Sequence, residues 1–317
     1  MFSVQALHIP DGFLSVVVSI FLWFISILIV GYALRRVGQD LGERQVPLMG
    51  VLAAGIFAGQ MLNFPVAGGT SGHLMGAAIA TILMGPWAAI LIMTSVVSIQ
   101  AFIFQDGGLL VLGANVFNMA IVGVAVAYMV YRTVLRIAGN AKRGILIAGF
   151  VAAWFSIEIA SLSAALQLVL SGTSPAKLAI PAMAGVHALI GMGEGLITGG
   201  ALAFLLTARP DLVKYNETHL VGGKLVWIIG LLIALVLVIA SPLASTRPDG
   251  LEWVARQNGF IDRAQAPLYQ VIPDYLYPGV SNETLATIVA GILGTAIVLG
   301  VSLGVAFTRR NRQTSGG

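Results

Sequence analysis

The chain of 317 residues is 58% hydrophobic and only 9% charged, against roughly 45–50% and about 25% for a soluble globular domain, which excludes a water-soluble fold and identifies an integral membrane protein. With no cysteine it can form neither a disulfide framework nor a thiolate metal site, so nitrogen, oxygen and thioether are the donors left for any metal. The net charge of +4 lies in short basic clusters between apolar runs, the pattern that membrane topology demands, and no nucleic-acid partner is expected.

Crossing a hydrocarbon core takes roughly 20 apolar residues. Such runs lie at about 13–34, 46–63, 110–131, 145–170, 179–207, 225–244 and 285–307. The first has no basic region before it and is too long for a signal peptide, so it is expected to remain as a span. The apolar stretch 73–104 is interrupted by Gly85-Pro86, which predicts a short helix followed by a full one. The fold class is therefore an all-α polytopic membrane protein with about nine helical segments. The bilayer is its first partner.

Basic residues give the orientation. With the N-terminus outside and the C-terminus cytoplasmic, the inside loops collect 13 of the 17 lysines and arginines, and the outside keeps Lys177, Arg247, Arg256 and Arg263. This arrangement requires 73–104 to enter the membrane and return. Residues 1–207 form the membrane body, 208–224 a cytoplasmic linker, and 225–317 a two-helix module whose outer loop, 245–284, is the one sizeable polar stretch. This loop is expected to sit over the outer site and assist loading: its five acids, Asp249, Glu252, Asp262, Asp274 and Glu283, could gather cations near the mouth, but three arginines offset them and a packing role is equally consistent.

Polar side chains are scarce, so those within apolar surroundings are the candidates for function. His8 stands in His8-Ile9-Pro10-Asp11-Gly12-Phe13-Leu14, just ahead of the first span, either as a cap or anchor or as a ligand. Asp11 or Ser15 can cap the helix that follows. His73 ends the loop Gly68-Gly69-Thr70-Ser71-Gly72, where three glycines let backbone approach closely; a ligand role competes with a helix-start histidine bonded to a carbonyl. His187 and Glu194, two helical turns apart, share a face, and Glu194 must point to a partner because a carboxylate in lipid is costly. Glu158 reads better as a clamp between helices. Asn115 and Asn118, at i and i+3, either bond across helices or support a ligand from behind. Small residues in Gly55-Ile56-Phe57-Ala58-Gly59 could form a docking face for a partner chain. No phosphate-binding loop, nucleophile–base pair or His-Glu-x-x-His helix is present, so the chain is not expected to be an enzyme.

Taken in order, His8-Ile9-Pro10-Asp11-Gly12-Phe13-Leu14, Gly68-Gly69-Thr70-Ser71-Gly72-His73, the run from Phe104-Gln105-Asp106-Gly107-Gly108 to Asn115-Val116-Phe117-Asn118-Met119, and His187-Ala188-Leu189-Ile190-Gly191-Met192-Gly193-Glu194 resemble the CbiM/NikM family. These proteins are the substrate-binding membrane components of energy-coupling-factor transporters for cobalt and nickel. The module containing Pro248-Asp249-Gly250-Leu251-Glu252 resembles the small PDGLE component, the counterpart of CbiN and NikN, fused to the same chain. The resemblance implies a metal-capturing subunit of an ATP-driven Ni2+ or Co2+ importer in a bacterial or archaeal cell membrane. An energy-coupling transmembrane protein and two ABC ATPase subunits would be its partners. The ion is cargo and no cofactor is implied.

In that family the metal is held by four nitrogens: the α-amine of a chain starting Met-His, that histidine's deprotonated amide and imidazole, and a second histidine. His8 and His73 match the two histidines; Asp11, Ser71, Asn115, Asn118, His187 and Glu194 are expected behind them or along the ion's path. Here seven residues precede His8, so the expectation is that Leu7 marks the functional start, read as Met. A proton-coupled carrier relaying through Glu158 and Glu194, or a metal-binding subunit that does not transport, are the rival readings.

Overall fold

The computed structural model describes residues 8–40, 45–213 and 224–314. Among the described residues ten α-helices carry the fold: α1 Val16–Asp40, α2 Gln45–Gln60, α3 Ala77–Ile99, α4 Leu112–Val116, α5 Gly123–Ala138, α6 Lys142–Leu170, α7 Ala176–Ala208, α8 Lys224–Ala240, α9 Gly250–Gln257 and α10 Glu283–Thr314. Wide-turn segments extend α3 to Phe104 and join α4 to α5. Among the described residues, six helical stretches are long and apolar enough to cross a membrane, and two shorter apolar helices, Gln45–Gln60 and Trp227–Leu243, accompany them. The expected all-α polytopic architecture is thus observed. A short helix inside the outer loop, α9, was not anticipated.

The break at Gly85-Pro86 is real. Gly85 adopts φ 77° and ψ 168°, a conformation open to glycine and closed to side chains that carry Cβ. A straight helix over 73–104 would carry its ends about 48 Å apart. Instead both flanks return to one place: the His73 ring centroid is 5.8 Å from that of His8, and Asp106 Oδ1 is 3.1 Å from His8 Nδ1. The stretch 73–104 therefore folds back on itself.

Loops gather at two poles. At one, backbone bonds run from Gly108 N to Ile9 O (2.9 Å), from Ser245 N to Asn63 O (2.8 Å), from Ser71 N to Pro248 O (2.8 Å) and from Gln265 N to Asp11 O (2.8 Å). Thr173 Oγ1 donates to Phe13 O at 2.5 Å, bringing the α6–α7 turn to the same pole. At the other, Lys142 Nζ reaches Thr207 Oγ1 at 3.4 Å, close to Arg143 and Arg209. The two sets match the loops assigned to opposite sides from charge. Part of the expected linker, 214–223, and the start-site expectation at Leu7 lie outside the described residues.

The C-terminal module packs on the body, chiefly through α8 and α10 against α2. Ala58 of α2 is buried with Ala234 and Val238 of α8, and a Cβ on Gly294 of α10 would sit 2.2 Å from Phe57. Small residues permit this approach because van der Waals contact drives helix association in lipid. The small-residue stretch read as a docking face thus serves, at Phe57 and Ala58, to seat the chain's own module. By contrast, α1 turns Val17, Ile20, Phe21 and Phe24 outward, as a lipid-facing helix does.

Candidate metal centre

The segment before α1 is held by an amide clamp. Asn115 Oδ1 accepts from Ile9 N and Asn115 Nδ2 donates to Ile9 O, both at 3.0 Å. Asp11 caps backbone rather than ligand: its oxygens accept from Leu109 N (3.1 Å) and Val111 N (3.2 Å). Gly107, at φ 92°, passes so close that a Cβ there would sit 3.0 Å from that of His8 and 2.9 Å from Asn115 Nδ2. These bonds fix His8 in the interior, 3% exposed. Its Nδ1 lies 3.1 Å from Asp106 Oδ1, while Nε2 is buried and makes no hydrogen bond.

His73 arrives from a two-residue antiparallel ladder, Phe64–Pro65 with Ser71–Gly72. The loop that this ladder closes is not free-standing, since Ser71 Oγ donates to Arg247 O at 2.8 Å. Just beyond His73, Glu194 accepts from Met75 N at 2.7 Å and Gly76 N at 2.9 Å. Those amides open α3 and have no partner within the helix, so the carboxylate of α7 satisfies them. His73 Nδ1 lies 3.0 Å from Leu74 O. A proton on Nδ1 makes that contact a hydrogen bond and leaves Nε2 with a bare lone pair.

Two imidazoles bound to one ion through bonds of about 2.1 Å have centroids roughly 4.5–6.4 Å apart. The His8 and His73 centroids, at 5.8 Å and 72° between planes, fall inside that range. They line a cavity of about 80 Å3, with Asn115, Asn118, His187 and Asp249 also on its wall. His187 is turned back toward its own helix, Nδ1 lying 2.8 Å from Met183 O. Asn118 pairs with Gln167 of α6, donating to Oε1 at 2.9 Å and accepting from Nε2 at 2.7 Å, so it clamps helices. Glu158 is buried and its Oε2 has no hydrogen-bond partner. Of the eight residues expected at or behind the site, His8, His73, His187, Asn115 and Asn118 meet at the cavity, while Asp11, Ser71 and Glu194 hold the backbone that presents them.

Two acids face the histidines: Asp106, to which the sequence pattern gave no role, and Asp249, one of the five loop acids expected to gather cations. Asp106 lies against His8 and also accepts from Tyr275 Oη at 2.7 Å; Asp249 Oδ2 lies 3.6 Å from His73 Nε2. Asp249 and Tyr275 both come from the loop of the C-terminal module. Burial works to lower the His8 pKa, but the Asp106 carboxylate outweighs it and the net shift is upward. Burial likewise pushes Asp106 up, and the His8 charge prevails to hold it down. For Asp249 burial wins, raising the carboxyl to about 6 against the pull of His73. Among the described residues no three His, Asp or Glu side chains form a metal-holding group by themselves. A cage closed by main-chain nitrogens would need no third side chain.

Residues 8–212 match the family model for the cobalt uptake substrate-specific transmembrane region, and residues 224–311 match that for the PDGLE domain. A putative fused nickel transport protein NikMN of Archaeoglobus fulgidus is 38% identical over 312 residues, covering 96% of this chain and 99% of that protein. The fused nickel transport protein NikMN of Rhodobacter capsulatus is 31% identical over 350 residues, with the same coverage of 96% and 99%. The cobalt transport protein CbiM of Sorangium cellulosum is 32% identical over 214 residues, 65% of this chain and 94% of its own length. A solved crystal structure of a transition metal transporter superposes with a TM-score of 0.57 at 33% identity, covering 66% of this chain and 98% of that one.

Proposed function

The chain belongs to the CbiM family, carrying a PDGLE domain in the same polypeptide, and on that premise we propose that it captures Ni2+ or Co2+ from outside the cell as the membrane subunit of an ATP-driven energy-coupling-factor importer. The observation that carries the reading is the pair of buried histidines, their ring centroids 5.8 Å apart, a spacing that two imidazoles on one ion adopt. Nitrogen donors suit Ni(II) and Co(II) and select against Mg(II) and Ca(II), which prefer oxygen. The amine and deprotonated amide expected of a chain beginning at Leu7, read as Met, would complete four nitrogens around the ion.

The pole that carries His8 faces outward in this reading, in a bacterial or archaeal cell membrane, and the basic pole faces the cytoplasm. Inward release depends on an energy-coupling transmembrane protein and two ABC ATPases, which hydrolyse the ATP; the ion is cargo and the chain needs no resident cofactor. A proton-coupled carrier fits less well, because both oxygens of Glu194 are engaged by backbone amides.

Equilibrium titration of the purified protein with Ni(II) and Co(II) tests the assignment. His8→Ala and His73→Ala should each abolish tight binding, and a form beginning with Met in place of Leu7 should bind more tightly than one beginning at Met1. Binding that survives both histidine substitutions would refute it. Uptake in cells that lack the ATPase partners should be absent; uptake without them would favour the proton-coupled carrier.

A further inference from the structure

Asp249 stands between two spaces. It lines the histidine cavity of about 80 Å3 and also a larger space of about 430 Å3, whose wall includes Glu252, Asp274 and Glu283 together with Arg247. The residues around the larger space include the exposed Thr246, Arg247 and Glu283, so it reaches the surface. Asp249 is 5% exposed. Its Oδ1 caps α9 by accepting from Leu251 N at 3.3 Å, while its Oδ2 accepts no hydrogen bond and faces His73 Nε2 at 3.6 Å. That distance is too long for a hydrogen bond. Two donors on one ion, with bonds of about 2.1 Å and an angle of 90–120°, lie roughly 3.0–3.6 Å apart, so Oδ2 and Nε2 are spaced to share a divalent cation.

We infer that Asp249 is the relay ligand of the incoming ion: a hydrated divalent transition-metal cation in the outer vestibule exchanges one water for Asp249 Oδ2 and is then passed to His73 and His8. The water leaves into the vestibule. The carboxylate–metal bond breaks as the nitrogen cage closes, and Asp249 returns to its resting place. The inference rests on the metal-capture reading and gives the C-terminal module a step within it. A ligand used only in passage lowers the barrier in both directions, so it changes rates without changing affinity.

The test is stopped-flow mixing of the full-length purified protein with NiCl2, read by competition with a chromogenic chelator, followed by release into excess EDTA. Asn caps helices as well as Asp, so Asp249→Asn should keep α9 and its thermal stability intact. It should slow both association and release at least tenfold and leave Kd within threefold. Asp262→Asn, which removes an equal charge from the same outer loop, should leave both rates within twofold. Association within twofold of wild type in Asp249→Asn would overturn the relay. So would faster release at unchanged association, which would make Asp249 a resting ligand, or an equal slowing in Asp262→Asn, which would reduce the effect to charge steering. If neither the form beginning at Met1 nor the form beginning with Met in place of Leu7 binds Ni(II) or Co(II), the capture reading fails; if the protein binds and Asp249→Asn loads normally, the relay alone fails.

Discussion

Asn115→Ala should weaken metal binding without unfolding the protein. The side chain makes two hydrogen bonds of 3.0 Å to the Ile9 peptide. When both are lost, Ile9 O still accepts from Gly108 N at 2.9 Å, so the orphan is the buried Ile9 N–H. Leaving one buried donor unsatisfied costs about 1–3 kcal/mol. If that cost falls on the ordering of the segment that carries His8, the affinity for Ni(II) drops about 5- to 150-fold, since 1.4 kcal/mol is tenfold. Asp11 continues to hold the same segment through Leu109 and Val111, so thermal unfolding of the helical body should barely move. Calorimetric titration with Ni(II) reads the affinity, and Asn118→Ala is the control. Asn118 bonds Gln167 and Ser163 on α6, so its loss should lower thermal stability more than affinity. A Kd within twofold of wild type for Asn115→Ala, or an equal loss from Asn118→Ala, would refute the clamp.

Three further outcomes follow from the same geometry. Glu194→Gln replaces a charged acceptor of two amides by a single neutral one, and hydrogen bonds to charged groups contribute about 1.5–3 kcal/mol; chemical denaturation should show a loss of that order together with weaker metal binding, whereas a proton relay predicts lost transport with binding intact. For pH, the His8–Asp106 pair stabilises the metal-free protein fully between the ordinary aspartate value of 3.8 and the ordinary histidine value of 6.5, and this contribution is lost as pH rises through the raised histidine value or falls through the lowered aspartate one. Metal binding has the opposite sign, because only neutral imidazole binds, so affinity should fall on acidification, beginning above pH 6.5. Asp106→Asn removes the carboxylate that raises His8 and should move the midpoint of Ni(II) binding to lower pH; a midpoint unchanged or higher would contradict the pairing. Tyr275→Phe deletes the bond to Asp106 Oδ2 but keeps the ring stacked on Phe104, so it should weaken Ni(II) binding by no more than tenfold with thermal stability nearly unchanged.

Much of the architecture was legible because lipid simplifies the code. Apolar length identified the spans, and Gly85-Pro86 identified the fold-back, since glycine and proline interrupt a helix for local reasons. The junction of His8 with His73 came from resemblance rather than from periodicity, as no spacing rule connects residues 65 apart in the chain. The same limit hid the pairing of Asp106 with His8 and of Asp249 with His73, which is fixed by loop-to-loop bonds such as Ser71 N to Pro248 O. Asn115 and Asn118 looked equivalent in sequence, yet one holds the Ile9 peptide and the other pairs with Gln167. Small residues on α2 announced a close approach but not the identity of the neighbour, which proved to be the chain's own C-terminal helices. Glu194 was expected to need a partner; that the partner is backbone could be seen only once α7 and the start of α3 lay side by side.

Because Asp249 and Tyr275 are delivered by the same polypeptide that carries His8 and His73, each histidine pair comes with its own outer loop at fixed one-to-one stoichiometry. A tethered group works at an effective concentration set by its linker, commonly in the millimolar range, and dilution in the membrane cannot lower it. Occupancy of the outer loop in this chain is therefore independent of expression level, a property that a separately made subunit would have to reach by affinity.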